Sequence, residues 1–104
     1  MSDTERLQNV LRDIQATRQQ LMTTTSQIRE FEVTLDALSK QEDDKKVYRQ
    51  IGALLFEVDN REDMEDQLIS SIQTLNEHLI QLEKQDEELK QIYEKTESEI
   101  EKND

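Results

Sequence analysis

Apolar residues recur along this chain at seven-residue intervals on both sides of a central stretch where that rhythm stops. In the first part Leu7, Ile14, Leu21, Ile28 and Leu35 form one line of a heptad. A companion line four residues on is weak, because Leu11 is apolar but Arg18, Thr25 and Glu32 are not. Val10, Phe31 and Leu38 lie beside the first line and widen the stripe at its two ends. This pattern predicts a helix over residues 4–42. The last part repeats the theme more cleanly. Leu68, Ile72, Leu75, Leu79 and Leu82 follow 4-3-4-3 spacing, which continues through Asp86, Leu89, Tyr93, Thr96 and Ile100 with Asp86 as the one break. A second helix is expected over residues 60–101.

Between the helices the pattern changes. Val47-Tyr48-Arg49-Gln50-Ile51-Gly52-Ala53-Leu54-Leu55-Phe56-Glu57-Val58 is rich in β-branched, aromatic and aliphatic residues and holds the only glycine. Gly52 can take positive φ without steric cost, so the run is expected to be a hairpin with strands at 46–51 and 54–58. The competing reading continues the helix through Gly52 as a defect costing about 1 kcal/mol. Asp59 followed by Glu62 resembles a capping box that restarts the helix, and Gln41-Glu42-Asp43-Asp44 is a polar exit from the first. Two such helices can fold back as an antiparallel coiled coil. One closure of that coil sets Arg18 near Leu82 and Asp86, allowing an Arg18–Asp86 contact.

The hairpin then has nothing to pack against, and isolated hairpins are marginal in water. Alternation assigns Val47, Ile51 and Leu55 to one face and Tyr48, Leu54, Phe56 and Val58 to the other, subject to the turn register. Both faces read as apolar, and the strand edges carry unpaired backbone groups. Hairpins of several copies or partners are expected to join in a shared sheet or barrel. At the opposite end Leu7, Val10, Leu11, Ile14, Leu89, Ile92, Tyr93 and Ile100 exceed what a two-helix seam can bury. Glu5, Asp13, Glu87, Glu88, Glu94, Glu97, Glu99 and Glu101 rim them, as at a reversible interaction surface. Ordinary seam packing with frayed ends is the plainer alternative.

Composition narrows the classes. In 104 residues the net charge is −12, the hydrophobic fraction 33%, and there is one Gly, no Pro, no Cys and no Trp. A compact α/β domain or β-sandwich lacks the turn residues it needs, and thiolate metal sites, disulfides and Cys nucleophiles are excluded. An acidic surface does not suit nucleic acid. No apolar run approaches a membrane span and the N-terminus shows no signal-peptide core, so the expected location is the cytoplasm. His78 falls off the seam as a solvated side chain, and no catalytic constellation, phosphate loop, metal site or cofactor site is visible; an enzyme is not expected.

Arm, hairpin and arm in about 100 acidic residues resembles a prefoldin subunit of the β class. The most specific match is Val47–Val58, similar to the family's hydrophobic-Tyr-basic-x-hydrophobic-Gly-x-hydrophobic-Leu-hydrophobic strand-turn-strand. Val58-Asp59-Asn60-Arg61-Glu62, the Gln-rich first helix (Gln8, Gln15, Gln19, Gln20, Gln27) and Leu82-Glu83-Lys84-Gln85-Asp86-Glu87-Glu88-Leu89 also look typical. Ala53 stands where many members have a second Gly, and no Gly- or Met-containing tail follows Ile100, so nothing from such a tail is carried over. The resemblance implies an all-α dominated fold over a single domain, 1–104, whose hairpin joins an inter-subunit β-barrel. It implies a hexamer of two α-class and four β-class subunits, acting as an ATP-independent holdase that hands unfolded clients to a group II chaperonin. Assembly would rest on Val47, Tyr48, Ile51, Gly52, Leu54, Leu55, Phe56 and Val58, and client binding on the tip residues above. The rival functions are a coiled-coil spacer or tether, and a helical-hairpin cofactor for one dedicated partner.

Overall fold

The computed structural model describes residues 2–102, so positions 1, 103 and 104 of the expected 1–104 domain lie outside the described residues. The element order is helix α1 (Asp3–Lys40), strands β1 (Tyr48–Ile51) and β2 (Leu54–Glu57), and helix α2 (Arg61–Lys102). α1 begins because Ser2 caps it, its Oγ accepting from the Glu5 amide at 3.2 Å. α2 is capped by Asn60, whose Oδ1 accepts from the Asp63 amide at 3.0 Å. The expected Asp59–Glu62 box is therefore displaced by one residue, because Asn60 offers an equivalent side-chain acceptor at the helix boundary.

The chain falls into two compact units, one built from the stretches up to Ser26 and from Glu77 onward, the other Gln27–Asn76. In the first, the start of α1 packs antiparallel to the end of α2. Val10, Ile14, Thr17, Thr24, Leu82 and Thr96 are buried there, with Leu7, Leu21, Leu79, Asp86, Leu89, Tyr93 and Ile100 half-buried. In the second, Ile28, Leu38 and Leu68 are buried, and Phe31, Leu35, Met64, Ile72 and Leu75 are half-buried. The α2 seam follows the predicted line. The α1 companion line does not. It runs three residues after the first line, through Val10, Thr17, Thr24, Phe31 and Leu38, while Leu11, Arg18, Thr25 and Glu32 are exposed. Two threonines in the core line hid it, since Thr reads as polar although its methyl group packs like that of valine.

The hairpin register pairs Tyr48 with Glu57, Arg49 with Phe56, Gln50 with Leu55 and Ile51 with Leu54. The Val58 amide donates to the Val47 carbonyl at 2.8 Å just outside the ladder, so the regular strands are shorter than 46–51 and 54–58. Gly52 has φ of 61° and no other described residue has positive φ. Positive φ at the first central residue alone is the mark of a type II′ turn, which leaves Ala53 in a conformation open to any L residue. This register corrects the expected faces. Side chains directly opposite share a face, so Leu54, Phe56 and Val58 join Val47, Arg49 and Ile51. Leu55 belongs with Tyr48, Gln50 and Glu57. One face is strongly apolar and the other is mixed.

Candidate functional site: an exposed hairpin and a half-closed tip

One side chain ties the start of α2 to the end of α1 beneath the hairpin. Arg61, the first residue of α2, donates from Nη2 to the carbonyls of Leu38 (2.7 Å) and Gln41 (2.6 Å), and from Nη1 to that of Glu42 (3.2 Å). Leu38 lies in the last turn of α1 and Gln41 and Glu42 just past it, where backbone partners are sparse. The Leu38 carbonyl also accepts from the Gln41 amide at 3.3 Å, and that of Glu42 from the Lys45 amide at 3.1 Å. The chain has no glycine to close α1 in the usual left-handed way, and the guanidinium fork meets that need from across the elbow. Its side chain is only 23% exposed, and Asp43 lies 3.9 Å away on the solvent side. In the sequence Arg61 stands out only as part of a polar helix entry, without this role. A basic residue at the first position of a helix, where the dipole disfavours it, was the available signal.

Every strand residue of the hairpin is exposed. Of the expected assembly residues, Tyr48, Ile51, Leu54, Leu55 and Phe56 lie open, with Leu55 at 67%, while Val47 and Val58 are half-buried at the strand bases. Ile51, Phe56 and Val58 line an open groove with Met64 and Gln67 of α2. The sheet has two strands, so each also presents an unpaired outer edge. Lys46 and Glu57 stand 3.9 Å apart on the mixed side.

The tip residues divide into two sets. Val10 and Ile14 are seam residues, and Leu7, Leu89, Tyr93 and Ile100 are half-closed by the partner helix. Leu11 and Ile92 face outward, at 43% and 46% exposure. The structure brings the first six into one packed line and leaves these two on its outside. No described side chain in the protein is fully buried, as expected where two helices have only each other. Below the tip Arg18 Nε donates to Asp86 Oδ1 at 3.1 Å, the contact expected from one possible closure of the helices. Among the described residues no three His, Asp or Glu side chains converge as metal ligands, and no helix is long and apolar enough to cross a membrane.

Similarity to known proteins points the same way. A family model described as "Prefoldin subunit" matches residues 2–103. A prefoldin subunit beta of Thermoplasma acidophilum is 30% identical over 101 residues, covering 90% of this chain and 82% of that protein. One from Thermoplasma volcanium is 32% identical over 73 residues, covering 70% of this chain and 59% of the relative. The crystal structure of the prefoldin beta subunit from Thermococcus strain KS-1 superposes with a TM-score of 0.85, at 23% identity, over 97% of this chain and 88% of that one. Two long helices joined by a small antiparallel hairpin are thus a shared fold, and the chain belongs to the prefoldin subunit family, within which it is the beta subunits that it resembles.

Proposed function

We propose that this chain is a subunit of an ATP-independent holdase chaperone, assembling through its hairpin and holding unfolded proteins at the free end of its helices. The observation that carries this reading is the hairpin. Ile51, Leu54 and Phe56 stand exposed side by side on one face of a two-stranded sheet. Such a surface is unfavourable in water and favourable only when covered. Its natural cover is the equivalent hairpin of other subunits, in a barrel of two α-class and four β-class chains. Leu11 and Ile92, with the half-closed residues beneath them, supply apolar contact at the tip. Several such weak contacts combine through effective concentration into useful avidity, and each alone releases quickly. The −12 charge keeps these surfaces from self-association and favours docking onto a basic patch of a group II chaperonin. The proposed setting is the cytoplasm, with no cofactor and no catalysis.

The test is suppression of aggregation of a chemically denatured enzyme by the assembled complex, using Leu11→Ser with Ile92→Ser in this chain. Both side chains lie outside the seam, so helix content should stay at the parent level while suppression falls several-fold. Undiminished suppression at unchanged helicity refutes the tip as the client site. The spacer reading predicts that result.

A further inference from the structure

The apolar face of the hairpin carries a single charge. Val47, Ile51, Leu54, Phe56 and Val58 share it with Arg49, which stands opposite Phe56 in the ladder. Arg49 also borders two grooves between the hairpin and the helices, one beside Ile51 and Phe56 and the other beside Phe31 and Leu68. The ion pairs of the described residues engage Arg6, Arg18, Lys40, Lys46 and Arg61. Arg49 has none, although Asp63 and Glu57 border one of the same grooves, Glu57 standing 3.9 Å from Lys46. While the face is open this costs little, because the guanidinium is exposed and hydrated. Covering the face changes the balance. A guanidinium removed from water without a counter-charge is strongly unfavourable, and one met by a carboxylate in fork geometry is tolerated and directional.

A second copy of this chain cannot supply that carboxylate from the same face, since its residues include no Asp or Glu. Face-to-face contact of two copies buries two guanidinium groups and gains no ion pair. We propose that Arg49 is a specificity residue of the hairpin, admitting a partner sheet whose covering face presents an Asp or Glu and rejecting a second copy of this chain. Discrimination then comes from an unpaired buried charge against the wrong partner as much as from attraction to the right one. The inference rests on the reading of the hairpin as an assembly element, and goes beyond it in naming the chemistry that selects the partner.

Two measurements on the full chain test it. The first is sedimentation of the chain alone over the micromolar range, and the second is titration with a recombinant α-class prefoldin subunit. Arg49→Leu should strengthen self-association by about tenfold or more, because the repelled copy becomes acceptable. Arg49→Glu should weaken α-class binding by about a hundredfold, with Arg49→Lys intermediate because it keeps charge without the fork. Asp63→Asn should leave both affinities within twofold, since the counter-charge comes from the partner. If Asp63→Asn instead weakens either association by more than about twofold, Asp63 neutralises the charge within the chain and the proposal falls. It also falls if Arg49→Leu and Arg49→Glu stay within twofold of the parent in both measurements at equal helix content. Should the α-class subunit fail to bind the parent chain, the assembly reading fails, and self-association of Arg49→Leu alone still decides for or against Arg49.

Discussion

The seams of the two units share one spacing and differ in what fills it. Between Gln27 and Asn76 the buried seam positions are Ile28, Leu38 and Leu68, all apolar, flanked by half-buried Phe31, Leu35, Met64, Ile72 and Leu75 and by half-buried polar Arg61, Glu65 and Ser71. In the unit that contains the chain's tip, Thr17, Thr24 and Thr96 occupy core positions at 3–4% exposure, and Asp86 occupies another. A threonine where leucine would fit gives up roughly 1–2 kcal/mol of apolar burial per layer. Equal periodicity therefore does not mean equal grip. The unit bearing the hairpin is built to hold its geometry, and the unit bearing the tip pairs its helices with less to spare.

Removing an apolar anchor from the weaker seam should expose that difference most clearly. Leu82 is the least exposed apolar side chain of the protein, at 3%, and its neighbours along the α2 seam include Asp86. Leu82→Ala should cost about 2–4 kcal/mol locally. Amide exchange should rise across residues 3–26 and 77–102 and stay near the parent level across 27–76. Equal loss of protection in both units would mean that the two seams melt as one, and the contrast drawn above would be void.

The elbow offers the next largest effect. Arg61→Ala removes three charge-assisted bonds to the end of α1, and a loss of about 2 kcal/mol is expected in denaturant unfolding. Arg61→Lys should recover less than half of it, because one ammonium cannot span the carbonyls of Leu38, Gln41 and Glu42 as the fork does. Full recovery by lysine would reduce the role of Arg61 to charge near a helix end.

A gain is expected where the weak seam is repaired. Thr17→Val and Thr24→Val keep the β-branched outline and replace a seam hydroxyl with a methyl, so each should stabilise its unit by about 0.5–1 kcal/mol and slow exchange there. Destabilisation would show that these hydroxyls carry bonds the helix needs, as Thr96 Oγ1 does in donating to the Ile92 carbonyl at 2.8 Å.

The periodic lines made both helices, the α2 seam and the hairpin legible in the sequence, because apolar side chains at heptad spacing have few other ways to be buried. Three things were not legible. Thr17 and Thr24 conceal the α1 companion line, since a residue type that serves both surface and core carries no sign of which it does. The hairpin faces depend on cross-strand register, and register follows from the turn at Gly52-Ala53, whose type depends on backbone angles. Arg61 acts across twenty or so residues on carbonyls that have no letter in the sequence. The tip was legible as a surplus of apolar residues, but not as a division. Only the packed helices show Val10 and Ile14 inside the seam and Leu11 and Ile92 outside it.

The smallest energetic effect bears on how the weak seam keeps its alignment. Leu7, Ile14, Leu21, Ile28 and Leu35 offer nearly the same side chain at every heptad, so burial alone separates poorly between the native pairing and one slipped by seven residues. The polar positions separate them well. On the row Leu11, Arg18, Thr25 and Glu32 only Arg18 is basic, and on the row Ile72, Leu79, Asp86, Tyr93 and Ile100 only Asp86 is acidic. One alignment joins them. With Arg18 58% exposed, the pair should contribute no more than about 1 kcal/mol in a double-mutant cycle. Its removal should appear in alignment instead of stability. The chain has no cysteine, so spin labels placed on exposed Gln20 and Glu83, diluted with unlabelled chain, report the pairing without interference. The parent should give one distance. Arg18→Leu with Asp86→Leu should add a second, longer-distance population in which the labels, nearly opposite in the parent, are offset by about 10 Å along the helix axis, the rise of seven helical residues. A single unchanged distance would assign the alignment of the tip helices to the elbow alone, and would leave the pair as a surface contact of little consequence.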